Sequence, residues 1–475
     1  MIDPTLLDLT EVADAIVAGH ASSVEITKSC LARIKAWQPQ INAFIRLDEE
    51  SALRQAAECD AELAAGRRRG PLHGVPLAHK DLLYRKGRIT TGGSRILRDT
   101  FADTTSTLLE RLDAAGAVDL GTLNMSEFAA GPTGHNVHYG PARNPYDRSR
   151  ITGGSSSGSG AAVGARLVFG SLGSDTGGSI RLPAAACNVV GLKATYGRVS
   201  RHGAVARSWS LDHVGPLART ARDCAVIFAV VAGYDPRDPT TSTRKVPDLP
   251  VLLSDLDNAS LMGIRIGVPG EPILGTLDAA VAAALERSLR VLEARGATLR
   301  EVPFGDLAHL ADIGETIIKS EAATMHREWL QTRPGDYAHQ VRVRIEGGFY
   351  IPATQYLEAL RLRAVLLDRF LEETMAEVDL IHCPVIAFPV PTIAETDVEA
   401  EAGSVVLDLV RRITTYTRPF NFLGVPAVSV PCGFDLAGLP IAFQLVGRPF
   451  AEALCLRVAA AYQTATDFHR KAPQL

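Results

Sequence analysis

Residues 153–160 read GGSSSGSG, and residues 173–182 read GSDTGGSIRL. The second stretch follows an apolar run at 167–172, so it predicts a strand that leads into a glycine-rich turn. Glycines in such a turn let the backbone approach a substrate closely. Consecutive N–H groups that converge on one point are what an oxyanion hole requires. The pattern therefore favours an exposed serine, Ser179, beside a pocket of backbone donors.

The first stretch allows three interpretations when it is taken alone. A phosphate-binding P-loop needs a lysine after its last glycine, and no lysine follows Gly158 or Gly160. Residues 154–158 match the GxSxG pattern of a nucleophile elbow with Ser156 as the nucleophile, but an elbow needs an apolar strand in front of it. Residues 143–152 are polar and contain a proline, which disfavours the elbow. A flexible turn is the interpretation that composition alone supports.

The rest of the chain predicts an α/β architecture. Its 475 residues are 46% hydrophobic and 21% charged, which is ordinary for a globular protein and corresponds to a prior of about three domains. Helical patterns precede strand-like runs at 107–123 and 277–302, as in folds built from layers of helices and strands. The N-terminal part, residues 1–65, looks helical, and residues 75–78 predict a buried strand that ends at Lys80.

Charge and composition exclude several classes of protein. The net charge of −4 lacks the basic character of a nucleic-acid-binding surface. The N-terminal residues do not form a secretory signal, and no apolar run approaches the roughly 20 residues of a membrane span. Seven cysteines without a CxxC pair indicate reduced thiols, and the twelve histidines show no HExxH motif. We expect a cytoplasmic enzyme with no metal and no cofactor.

Four further segments share one resemblance with the two glycine–serine stretches. They are GPLHGVPLAHKDL at 70–82, LNMSEFAAG at 123–131, GPARNPYD at 140–147 and LPIAFQLVGRPFAEALCLRVAAAYQ at 439–463. In this order the segments resemble the amidase signature family, the Ser–cis-Ser–Lys hydrolases, over roughly residues 5–470. The resemblance implies a mixed twisted β-sheet between α-helical layers. It also implies one amidase domain over 1–475, with a helical N-terminal part at about 1–65 and a variable, substrate-lining segment at about 310–420.

The resemblance also assigns a catalytic triad. The family nucleophile falls on Ser179, the bridging serine after a cis peptide bond falls on Ser155, and the base falls on Lys80. A lysine has an ordinary pKa near ~10.4, so it must lose its proton through burial before it can act as a base. The expected reaction is acyl transfer, in which the proton of Ser179 passes through Ser155 to Lys80.

The remaining site residues follow from the same resemblance. The oxyanion hole falls on the backbone N–H groups of four consecutive residues, Thr176, Gly177, Gly178 and Ser179. Asp175 and Arg181 flank residues 176–180, the nucleophile loop, and we expect them to hold it in place. Met125 is expected to line the acyl pocket, with core packing as the alternative. His79, beside Lys80, is expected to pack or to form a hydrogen bond.

The substrate is the least constrained part of the prediction. Apolar side chains in the variable segment favour a small hydrophobic or aryl amide, and ester or carbamate (urethane) hydrolysis stays open. These side chains are Met325, Trp329, Phe349, Tyr350, Tyr356, Phe370, Tyr416 and Phe420. The expected partner is a small amide-like substrate, with no nucleic acid and no membrane. A homodimer stays open.

The alternative function is the A subunit of a tRNA-dependent glutamine amidotransferase. Two features favour a free-standing amidase over that subunit. Leu182 stands where those subunits usually have glutamine, and residues 321–350 lack a segment similar to SSNLARYDG. We therefore expect a free-standing amidase.

Overall fold

The computed structural model describes residues 3–270, 277–399 and 404–474, which form a mixed α/β architecture as predicted. The strands are β1 (Phe44–Leu47), β2 (Pro76–Lys80), β3 (Val118–Leu123), β4 (Gly170–Asp175), β5 (Val190–Lys193), β6 (His213–Ala218), β7 (Arg265–Pro269), β8 (Thr298–Val302), β9 (Leu380–Pro384), β10 (Ala427–Phe434) and β11 (Pro440–Gly447). The helices are α1 (Leu9–Val17), α2 (Ser23–Ile41), α3 (Glu49–Ala64), α4 (Thr107–Ala114), α5 (Ser157–Gly164), α6 (Arg181–Ala186), α7 (Ala221–Val231), α8 (Leu249–Asp257), α9 (Ala279–Ala294), α10 (Leu307–Thr332), α11 (His339–Glu346), α12 (Ala353–Arg369), α13 (Ser404–Arg412), α14 (Arg418–Leu423) and α15 (Glu452–Thr464).

The strands form two sheets. The large sheet has the order β4-β6-β5-β10-β11-β9-β7-β8. Its neighbours are antiparallel from β4 to β9, and β7 then pairs in parallel with both β9 and β8. The small sheet has the order β1-β3-β2, and its β2 is parallel to β3. The predicted mixed sheet is confirmed.

The small sheet lies against the edge of the large one through β2. The N–H of Phe169 donates to the carbonyl of Pro76 at 3.3 Å. The N–H of Leu172 donates to Nδ1 of His79 at 3.2 Å. His79 is buried, and desolvation lowers its pKa to about 4, so it stays neutral and accepts this bond. These contacts bring Lys80, at the end of β2, beside the last residues of β4.

Local sequence signals explain several element boundaries. Helix α2 begins with a capping box, in which the Ser22 hydroxyl accepts from the N–H of Glu25 while the Glu25 carboxylate accepts from the N–H of Ser22. Strand β2 ends at Lys80, as the apolar run predicts. The N-terminal part is not wholly helical, since β1 lies between α2 and α3 and pairs with β3.

Apolar residues from both sheets and the surrounding helices share one large buried cluster. It includes Leu77 of β2, Leu172 of β4 and Val428 of β10. All seven cysteines are buried and free, and desolvation raises the pKa of each thiol. Within the described residues, no helix is both long enough and apolar enough to cross a membrane.

Candidate active site

The Lys80 ammonium group lies between two serine hydroxyls. Its Nζ donates to Oγ of Ser155 at 2.6 Å and to Oγ of Ser174 at 2.8 Å. The lysine is only 1% exposed. Desolvation lowers its pKa to about 7, although the carboxylates of Asp212 and Asp175 act in the opposite direction. A large fraction of Lys80 is therefore neutral at physiological pH, as a general base must be.

Ser155 and Ser156 lie between Lys80 and the nucleophile loop. The Gly154–Ser155 peptide bond is cis. The N–H of Ser156 donates to the carbonyl of Ser179 at 3.3 Å, and its hydroxyl donates to the carbonyl of Ser174 at 3.1 Å. No hydrogen bond joins the hydroxyls of Ser155 and Ser179 in the described part of the chain. Because its hydroxyl is bonded to the backbone inside the protein, Ser156 does not serve as the nucleophile of an elbow.

The nucleophile loop folds around the carboxylate of Asp175. Its Oδ1 accepts from the N–H of Gly178 at 2.7 Å, and its Oδ2 accepts from the N–H of Ile180 at 3.2 Å. The guanidinium of Arg181 donates to both carboxylate oxygens at 3.1 Å. Desolvation acts to raise the pKa of Asp175, but the charge and hydrogen bonds of Arg181 prevail and hold it well below its usual range. This buried ion pair fixes the shape of the loop on both sides of Ser179.

Residues from the C-terminal half complete this network. Arg181 donates to Oδ1 of Asn421 at 2.6 Å and to Oε1 of Gln444 at 2.9 Å. Asn421 in turn donates to Oδ1 of Asp175 at 2.7 Å. Asp175 and Arg181 were predicted beside the loop, whereas Asn421 and Gln444 were missed. These two residues, on α14 and β11, reach Arg181 only in the folded chain, in which β11 packs against α6.

The backbone donors of the loop are not equivalent. The N–H groups of Thr176, Gly177 and Ser179 have no partner within the described residues, and these three residues line a cavity of about 690 Å³. Gly178 does not line the cavity, and its N–H donates to Asp175. Of the four oxyanion donors that the resemblance implies, those of Thr176, Gly177 and Ser179 are therefore the ones left unbonded within the described residues.

The cavity beside Ser179 is rich in charged side chains. Its basic residues are Arg207, Lys319, Arg344, Arg411 and Arg418, and its acidic residues are Asp312 and Glu315. Glu315 accepts from Arg418 at 2.5 Å, and Arg418 acts against desolvation to lower the pKa of Glu315 to about 2. None of these seven residues was singled out from the sequence. Scattered arginines in helices and loops usually belong to solvated faces, so no local signal marks them.

Eight apolar side chains of the variable segment suggested a hydrophobic substrate. None of these eight lines the described part of the cavity beside Ser179. Phe370 and Phe420 are packed in a buried cluster, whereas Tyr350 is 84% exposed. Met125 is 0% exposed in the main core and also lies outside the cavity lining. Residues 400–403 of the predicted variable segment lie outside the described residues. No cluster able to hold a metal ion occurs among the residues that the structure describes.

A family model described as Amidase matches residues 25–456. The chain belongs to the amidase signature family. It is therefore a hydrolase-type enzyme that acts on the C–N bond of linear amides. A curated relative from Chloroflexus aggregans, the A subunit of glutamyl-tRNA(Gln) amidotransferase, is 41% identical over 97% of this chain and 96% of its own length.

Solved structures of the family superpose on nearly the whole chain. A protein solved in work on a vestigial protein complex and the origins of an s-triazine catabolic enzyme is 36% identical, with a TM-score of 0.88 and coverage of 97% and 98% of the two chains. The A subunit of glutamyl-tRNA(Gln) amidotransferase from Thermotoga maritima is 32% identical, with a TM-score of 0.80 and coverage of 98% and 96%.

These relatives correct two predictions. The preference for a free-standing amidase of small hydrophobic or aryl amides is wrong, because near-full-length relatives are named as the A subunit of an amidotransferase. The exclusion of a nucleic-acid partner is wrong for the same reason, since their name specifies glutamyl-tRNA(Gln). Leu182 supported the wrong alternative, although it is fully buried against Ile151 and Ala185 and does not line the cavity. Its identity reflects core packing.

Proposed function

We propose that this chain is the amide-hydrolysing A subunit of a tRNA-dependent glutamine amidotransferase, which releases ammonia from glutamine for use by a partner subunit. The observation that carries the proposal is the similarity to A-subunit relatives along nearly the whole chain, at 41% identity over 97% of its length. The buried hydrogen bond from Nζ of Lys80 to Oγ of Ser155 supports the chemistry, since the lysine is the base that the reaction needs. Ser179 lines the cavity in which a substrate would bind.

The proposed reaction begins with attack of Ser179 Oγ on the carboxamide carbon. Neutral Lys80 takes the serine proton through Ser155 and returns it to the leaving nitrogen, so ammonia departs and an acyl-enzyme forms. Water then cleaves the ester by the same route in reverse. The N–H groups of Thr176, Gly177 and Ser179 would hold the oxyanion, and one such donor typically contributes about 3–4 kcal/mol to the transition state.

Two further predictions belong to this proposal. The first is that residues 1–475 act as one domain, which is supported by a catalytic hydrogen bond between side chains 75 residues apart. The second is a cytoplasmic location, where charged tRNA is available. The seven free cysteines support a reducing compartment.

The test measures glutamine hydrolysis and conversion of glutamyl-tRNA(Gln) to glutaminyl-tRNA(Gln), with the chain assembled with the remaining amidotransferase subunits from the same genome. We expect both reactions with the wild type and a loss of at least about 10⁴-fold with Ser179→Ala. Ser157→Ala is the matched control, because this neighbouring buried hydroxyl has no hydrogen-bond partner in the described structure. Hydrolysis of other amides without any activity on glutamine would overturn the proposal.

A further inference from the structure

Asp212 is a buried carboxylate that lies directly before β6. Its Oδ1 accepts from the hydroxyl of Thr176 at 2.6 Å, and its Oδ2 accepts from the N–H groups of Arg207 and Ser208 at 2.7 Å and 2.9 Å. These donors are neutral, and Asp212 forms no ion pair within the part of the chain that the structure describes. Burial raises the pKa of Asp212, whereas the three hydrogen bonds and the more distant charge of Arg201 act against this and favour the ionised form.

The pairing of β4 with β6 explains why Asp212 meets the nucleophile loop. Asp175, the last residue of β4, lies opposite His213, the first residue of β6, in an antiparallel register. Thr176 follows the one and Asp212 precedes the other, so the two residues are neighbours across the end of the pair. The backbone N–H of Thr176 is one of the proposed oxyanion donors, and the bond to Asp212 holds this residue by its side chain.

The same register places Asp212 on the face of the sheet that meets the proposed base. Ser174 and Thr176 are two residues apart, and alternate side chains of a strand point to the same face. The Ser174 hydroxyl accepts from Nζ of Lys80 at 2.8 Å. Ser174 and Asp212 also line one cavity of about 240 Å³. Asp212 therefore lies beside both the base and the loop that would hold the oxyanion.

The loop that carries Asp212 is also fixed by Glu321 of α10. Glu321 is 0% exposed, and its carboxylate accepts from the Ser208 hydroxyl at 2.6 Å and from the N–H of Ser210 at 3.0 Å. These bonds join residues 208–210 to α10, while Thr176 joins Asp212 to the end of β4. The position of the Asp212 carboxylate is therefore set from two sides.

Two carboxylates act on the charge of Lys80. Both Asp212 and Asp175 favour its ammonium form, and the effect of Asp212 is the larger. Asp175 is paired with Arg181 at 3.1 Å, whereas Asp212 has no such cation in the described structure. Helix α5, which packs against β2, carries no titratable group. The other titratable groups on β2, next to it, or on β3 and α2, which pack against it, are His79, Asp81, Asp119, Glu25, Lys28, Cys30, Arg33 and Lys35.

We propose that Asp212 is a positioning residue that holds Thr176 in the oxyanion loop and balances the charge that Lys80 acquires from Ser179. In the proposed reaction the O–H bond of Ser179 breaks, an N–H bond forms on Lys80, and the carbonyl oxygen becomes negative. One carboxylate then stabilises the new ammonium group and fixes the residue whose N–H meets the oxyanion. The inference deepens the proposed function and rests on it, because it takes Lys80 as the base.

The experiment follows inactivation of the full chain by phenylmethanesulfonyl fluoride from about pH 5 to pH 9. This probe sulfonylates an activated serine with loss of fluoride, so its rate reports the base without an amide substrate. For the wild type we expect a midpoint near the Lys80 pKa of about 7. For Asp212→Asn we expect the midpoint to fall by about one pH unit, because the ammonium group loses a nearby anion. The plateau rate should fall about tenfold, since a weaker base remains.

Three further substitutions separate charge from shape. Asp212→Ser also removes the charge, and the adjoining cavity can admit water to the vacated donors, so we expect the same downward shift. Thr176→Val keeps the N–H but not the hydroxyl, so the rate should fall about tenfold at an unchanged midpoint, and Thr176→Ser should restore most of it. Asp223→Asn is the control, because this fully buried carboxylate on α7 does not act on Lys80, and its midpoint should stay at the wild-type value.

A midpoint that does not move in either Asp212 variant, or that moves to higher pH, overturns the inference. Full activity of Thr176→Val would overturn it as well. Absence of glutamine hydrolysis, with the Asp212-dependent shift intact, would refute the proposed function and support the inference. Glutamine hydrolysis by an enzyme whose midpoint ignores Asp212 would do the reverse.

Discussion

Nζ of Lys80 lies 2.6 Å from Oγ of Ser155, although 75 residues separate them in the chain. Lys80 ends β2 of the small sheet, whereas Ser155 precedes α5 and lies next to β4 of the large sheet. The proposed base therefore belongs to the small sheet, whereas the proposed bridging serine lies beside the large sheet. Their geometry depends on how β2 packs against β4.

Replacement of the proposed base should affect amides more than esters. In Lys80→Ala we expect amide hydrolysis to fall by about 10³–10⁴-fold, because an amine must be protonated before it leaves. An alkoxide leaves more easily without a proton, so ester hydrolysis should fall less. Rates on a matched amide and ester pair measure the difference, and equal losses on the two would contradict Lys80 as the proton donor.

The pH dependence of the reaction should report the ionisation of Lys80. Its pKa is about 7, and only the neutral amine can accept the proton of Ser179. The value of kcat/KM should therefore rise with pH, about tenfold per unit below pH 7, and level off above it. The measurement is a kcat/KM profile from about pH 5 to pH 9 under conditions in which the fold is stable. A midpoint near the ordinary lysine value of about 10.4 would exclude this assignment.

A methyl group at Gly178 should disrupt the nucleophile loop. Gly178 has a φ of +130°, and an added Cβ would lie 2.8 Å from Cβ of Thr417. The Thr417 hydroxyl is held by the Gly177 carbonyl at 2.7 Å, so it cannot easily move away. We expect Gly178→Ala to lower the free energy of unfolding by roughly 2–5 kcal/mol, through strained backbone and overpacking.

Gly177→Ala is the matched control for this prediction. An added Cβ there would have its nearest neighbour, Nε of Arg418, at 3.6 Å, and the φ of Gly177 is ordinary. Its free energy of unfolding should stay within about 1 kcal/mol of the wild type. Denaturant unfolding of both variants measures the contrast, and equal stability of the two would show that the loop relaxes around the methyl group.

Loss of Arg181 should destabilise the protein strongly. Arg181→Met would leave the fully buried Asp175 carboxylate without its cation, at a cost of about 3–5 kcal/mol. Arg222→Met removes an arginine that pairs with Asp257 at the surface, where such pairs contribute less than about 1 kcal/mol. Thermal unfolding of both variants would test the difference, and a similar change in Tm for each would refute it.

The sequence predicts the parts of the site that lie in continuous motifs. The resemblance to the amidase signature family, which these motifs carry, assigned Lys80, Ser155 and Ser179, and the structure brings Lys80 and Ser155 into contact. The strand that ends at Lys80 was predictable as well, because a short apolar run was followed by charge.

The cavity was not predictable, since its chemistry is assembled from distant residues. Arg207, Arg344 and Arg418 come from a loop and two helices, and each alone has the pattern of a solvated arginine. Leu182 shows the opposite error, because a position inside a motif was interpreted as a mark of a free-standing amidase although its side chain faces the core. The orientation of a side chain decides both cases, and it depends on tertiary packing.

The seven buried thiols have a practical consequence for spectroscopy. Alkylating reagents attack exposed thiolates, and burial keeps every native cysteine protonated and covered. The native enzyme should therefore not react with maleimide, so its own cysteines need not be replaced before labelling. A single cysteine introduced in place of the exposed Tyr350 would then accept one fluorophore or spin label, next to the helix that carries Arg344. Such a label could follow the approach of substrates or partner subunits in real time.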